Sequence, residues 1–106
     1  MAELEDLELQ VITEVRRVAR AVMTSEQVIR SAQVSRILEE KNLDAEQKRY
    51  QNGMSTSFQV LQIQEDLTEA RSREVNAITG YRKALALFYQ ATGQLIAESG
   101  FEFGEQ

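Results

Sequence analysis

The chain contains neither histidine nor cysteine, so any chemistry falls to carboxylates, lysines, tyrosines and hydroxyls. Its candidate acid–base pairs are Glu39 with Glu40 and Glu65 with Asp66. Each pair lies in a stretch with helical periodicity, where adjacent side chains diverge by about 100° and cannot converge on one substrate. Asp44, Glu46 and the acids near them lack the loop and the glycine placement of a calcium-binding hand. Without cysteine no thiolate metal site can be built, and without histidine the commonest metal ligand is missing, so no metal site is expected. The sequence therefore reads as a non-enzyme with no metal and no cofactor.

The residues that do carry information are hydroxyls, amides and a glycine in the middle of the chain. The run Tyr50-Gln-Asn-Gly-Met-Ser-Thr-Ser-Phe-Gln-Val-Leu61 holds the only turn signal in the centre of a sequence that has no proline. Asn52 and Gly53 suit the left-handed conformation that ends a helix. Ser55, Thr56 and Ser57 offer hydroxyls that cap the next one, and Thr56 with Gln59 has the spacing of a capping box. The predicted fold is all-α: a long antiparallel two-helix hairpin of coiled-coil type, with helices over about 3–51 and 56–98 and a turn at 52–55.

The two helical stretches carry heptad-like apolar rows. In the first, Leu4, Leu7, Val11, Val15, Val18, Val22, Ile29 and Ala32 follow steps of three and four, with a larger gap after Val22. In the second, Val60, Leu67, Tyr81, Phe88 and Leu95 form one row, which Glu74 interrupts, and Ile63, Ala70, Ala77, Ala84 and Ala91 form another. Alanines at successive heptads let a neighbouring backbone come close, and the larger row fills the space beside them. These ten residues are the expected helix-packing set. Leu9, Ile12, Val28, Val34, Ile37 and Leu38 fall off the first stripe, and Leu61, Val75, Ile78, Leu85, Tyr89 and Ile96 off the second. More apolar surface is present than one antiparallel neighbour covers, so a further partner is implied. Gly80 reads as a bend or a close contact, Gly93 as an aid to termination, and the tail 99–106 as loosely docked or frayed.

Composition excludes other classes. The net charge of -5 arises from 17 acidic and 12 basic residues spread along both helices, with no basic block to neutralise a phosphate backbone, so nucleic acid is not an expected partner. No apolar run approaches the roughly 20 residues that cross a bilayer, and the acidic start Met1-Ala-Glu-Leu-Glu-Asp6 is unlike a signal peptide. The segment itself is expected to be soluble, without direct membrane insertion.

The run Glu46-Gln-Lys-Arg-Tyr-Gln-Asn-Gly-Met-Ser-Thr-Ser-Phe-Gln-Val-Leu-Gln-Ile-Gln-Glu-Asp-Leu-Thr-Glu-Ala70 resembles the TolC family of outer-membrane efflux channels. The stretch Tyr81-Arg-Lys-Ala-Leu-Ala-Leu-Phe-Tyr-Gln-Ala-Thr-Gly-Gln-Leu95 is similar to that family's closing segment. About half of the chain carries this similarity; residues 3–45 match only as a long amphipathic helix. The resemblance implies a trimeric channel whose subunits each contribute such hairpins to a periplasmic α-helical barrel, the 106 residues being one hairpin fragment of a larger protein. It implies that Asn52, Gly53, Met54, Ser55 and Thr56 form the periplasmic tip, on which the hairpin of a periplasmic adaptor protein docks. Family members often carry acidic residues on the pore side near the tip. Here Gln59 and Gln62 occupy that region, which puts an electrostatic gate at these positions in doubt.

Two other readings use the same helices. A self-contained coiled-coil scaffold would dimerise through its apolar strips, with the tip only a turn. The chain could also be the adaptor's own hairpin, but it lacks the arginine, leucine and serine arrangement of adaptor tips around Gly53.

Overall fold

A computed structural model describes residues 2–104, and the side chains of 2–97. It consists of two α-helices, α1 over Ala2–Gln51 and α2 over Ser57–Gly104, with no strand among the described residues. The absence of proline from positions 1–106 lets both helices run far beyond ordinary length. Hydroxyl residues are tolerated inside them because Thr13, Ser25, Thr68, Thr79 and Thr92 each donate to the carbonyl four residues back, satisfying their own side chains within the helix.

The chain forms two compact units, one from residues 27–79 and one from 1–26 with 80–106. The first contains the turn and the helix arms that flank it. Its arms run antiparallel: Arg36 on α1 bonds Glu74 on α2, and four residues further along α1, Glu40 pairs with Arg71, three residues earlier on α2. Leu67, Ala70 and Ala77 are buried on α2, with Val60 and Ile63 half-buried. On α1, Ile29, Ala32, Arg36 and Leu43 are half-buried and Glu46 is buried, continuing the three–four spacing with polar residues where the apolar stripe stops. In the other unit Val18 is the most deeply buried large side chain, at 2 % exposure. Val11, Val15 and Val22 flank it on α1; on α2, Ala84 and Ala91 are buried and Tyr81, Phe88 and Leu95 half-buried. Tyr81 also donates its hydroxyl to Glu26 across 3.4 Å. All ten residues of the expected packing set are therefore buried or half-buried. Leu4 and Leu7, at the start of the α1 stripe, are exposed.

Local expectations along α2 hold at its start and fail at its end. Helix α2 begins at Ser57 with Thr56 as its N-cap, where the capping box read from the sequence puts its start. It does not end near residue 98 but continues to Gly104, through the tail read as frayed; glycine costs only about 1 kcal/mol in a helix and no proline stops it. Side chains from residue 98 onward, and all of 105–106, lie outside the described residues. Gly93 therefore terminates nothing, and a Cβ placed on Gly80 would meet nothing within 4 Å beyond the backbone of its own helical turns, so no close contact with another part of the chain requires that glycine.

Candidate docking tip

The turn between the helices is built from backbone bonds first. Gly53 has φ of 76° and is the only residue with positive φ among those described. That left-handed step lets the Gly53 amide donate to Tyr50 O at 3.1 Å and the Met54 amide to Arg49 O at 2.8 Å. The pair of bonds is a Schellman C-cap, which satisfies carbonyls the helix end would otherwise leave open. Two residues later the capping box closes: the Gln59 amide donates to Thr56 Oγ1 at 3.2 Å, and the Thr56 amide donates to Gln59 Oε1 at 3.3 Å. Both ends of the turn are thus fixed by residues that the sequence singles out.

Side chains add a second layer that sequence reasoning missed. Glu46 is a buried charged residue, only 9 % exposed, on the α1 face turned towards the turn. The Ser55 hydroxyl donates to its Oε1, and Arg49 Nη1 donates to its Oε2 at 3.4 Å. Arg49 also reaches the Met54 carbonyl through Nη2 at 3.4 Å. Ser55 Oγ lies 2.9 Å from Gln59 Oε1 as well, so its single proton has two acceptors, of which the carboxylate is the stronger. The signal available beforehand was the three–four spacing, which places Glu46 three residues beyond Leu43 on the packed face.

From residue 50 to 64 the tip exposes apolar and neutral polar side chains. No charged residue occurs between Arg49 and Glu65. Within that stretch Met54 is 70 % and Phe58 73 % exposed, and Tyr50 and Leu61 are more than half open to solvent or close to it. Asn52, Gly53 and Thr56 are exposed and Ser55 is half-buried. The five consecutive residues expected at the tip make up the turn that links α1 to α2. Of the two glutamines expected on a pore side, Gln59 has its amide oxygen committed to the cap, while Gln62 is exposed. Among the described residues there is no cluster of three or more side chains suited to a metal, and no helix is long and apolar enough to cross a membrane.

Comparison with known protein families, curated proteins and solved structures finds no match to this chain.

Proposed function

We propose that the chain is a helical hairpin of a TolC-like outer-membrane export channel, and that its tip receives the hairpin of a periplasmic adaptor protein. One observation carries the reading. The segment that resembles the family's docking turn is backbone-locked, carries no charged residue from 50 to 64, and presents Met54 to solvent. Glycine at the bend lets another tip approach closely, and methionine supplies an adaptable apolar contact. Other copies of the subunit, as in a trimer, would cover the outward apolar residues; Val34, Leu38, Val75 and Tyr89 are each at least half exposed. The function involves no bond making or breaking, and the hairpin works in the periplasm. Of the two glutamines, Gln62 is the one left for a polar constriction near the tip, because Gln59 serves the cap.

Binding of a purified adaptor hairpin tests this reading. Met54→Asp places an uncompensated charge in the contact and Gly53→Pro forbids the positive φ, so each is expected to weaken association by about tenfold or more. An adaptor indifferent to both changes sinks the proposal.

The scaffold reading draws on the same exposed apolar residues. It predicts tight, concentration-dependent self-association by sedimentation and no adaptor binding at all.

A further inference from the structure

We infer that Glu46 is the positioning residue of the tip: its buried carboxylate holds Ser55 and Arg49 so that Met54 is presented in one conformation. The inference rests on the docking reading for its purpose, but its geometry stands apart from it. A carboxylate in the packed face of a helix pair is costly to desolvate unless its oxygens are bonded. Here both are: Oε1 accepts from Ser55, the residue after Met54, and Oε2 accepts from Arg49. Arg49 in turn donates to the carbonyl of Met54 itself. The peptide of Met54 is therefore gripped from three directions, by its own amide bond to Arg49 O, by the Arg49 guanidinium on its carbonyl, and by the Ser55 hydroxyl anchored on Glu46. Ser55 also touches Gln59, which carries the restraint into the first turn of α2.

The Met54 side chain takes no part in this network and points its surface outward, 70 % exposed. A leucine or alanine at position 46 would seal the face between the helices more cheaply. The acid serves the turn rather than the seam. No buried polar side-chain atom among those described is left without a partner, so the network is complete as drawn.

Two variants separate the positioning role from general stability. Glu46→Ala removes the carboxylate, and Ser55→Ala removes the hydroxyl while leaving the packed face intact. In both, hydrogen exchange of the Gly53 and Met54 amides is expected to accelerate about tenfold, the change that loss of one charge-assisted hydrogen bond gives. Amides around Val18 and Ala84 should keep their rates, and Glu46→Gln should fall between, since an amide oxygen still accepts from Ser55. Unchanged exchange at Met54 in Ser55→Ala overturns the inference whatever an adaptor does. With a purified adaptor that binds the unmodified chain, Glu46→Ala should weaken binding about tenfold, and this loss should vanish in a Met54→Asp background. If Met54→Asp weakens binding and Glu46→Ala does not, the positioning role fails and docking stands. If Met54→Asp is neutral while the exchange results hold, docking fails and the latch stands.

Discussion

Arg36 on α1 donates its Nε to Glu74 Oε2 on α2 at 2.6 Å, across the packed face of the unit that holds the turn. Glu74 is the residue that breaks the apolar row of α2, and the same guanidinium also reaches Glu40 at 2.8 Å. The two carboxylates, Glu74 above all, raise the Arg36 pKa further above its already high value, so the guanidinium keeps its charge. A polar pair at a seam position specifies register at some cost in stability. Arg36→Ala, which strands Glu74, is therefore expected to lower the urea midpoint. Arg36→Leu with Glu74→Leu should restore or exceed it, while permitting shifted pairings visible as extra resonances in NMR spectra. A double variant as unstable as the single one would remove the register argument.

Gly53→Ala isolates backbone strain from contacts. A Cβ there meets nothing within 4 Å, yet φ is 76°, so the whole effect is conformational. A loss of about 1–2 kcal/mol in urea unfolding, with an unchanged denaturant slope, is expected. No loss would mean that the turn adopts another path.

Much of this architecture was legible because it depends on period and on local chemistry. The rows containing Ala70, Ala77, Ala84 and Ala91 and Val60, Leu67, Tyr81 and Phe88 are set by a seven-residue repeat, and the sequence displays that repeat directly. Gly53 and the Thr56–Gln59 box are equally local, since each partner lies within a few residues. Glu46 was not legible. A charge among Glu39, Glu40, Lys41, Lys48 and Arg49 looks solvated until the packed face is traced past Ala32, and its partner Ser55 lies across the turn. The end of α2 was missed for a different reason: glycine signals a helix end only when a left-handed step follows, and neither Gly93 nor the tail supplies one among the described residues.

Glu14 and Arg17, one turn apart on the exposed surface of α1, give a pH dependence with a defined sign. The Arg17 side-chain hydrogen bond, 3.1 Å from Nε to Oε2, holds the Glu14 carboxyl below its ordinary range. Because the folded pKa is the lower one, the pair stabilises the helix at pH values above the unfolded pKa of about 4.3. That contribution is lost as the pH falls through the folded value. Melting curves of the wild type and Glu14→Gln should differ slightly at neutral pH, converge in acid, and converge also at high salt, since both groups are exposed. A difference that grows on acidification would reverse the assignment.

Gly80 and Gly93 separate the needs of the single chain from those of an assembly. Both lie in the interior of α2, neither has positive φ, and a Cβ on either would meet nothing within 4 Å beyond the backbone of its own helical turns. Alanine at each position should stabilise the monomer by about 0.5–1 kcal/mol through helix propensity alone. A neighbouring helix that uses either glycine for close approach would instead be pushed away by the added methyl. Thermal melting at low concentration should therefore rise for Gly80→Ala and Gly93→Ala, and sedimentation at high concentration should show association weakened for whichever glycine a second chain contacts. A monomer destabilised by either alanine would mean that the helix is bent or packed there in a way the open surface around both residues contradicts.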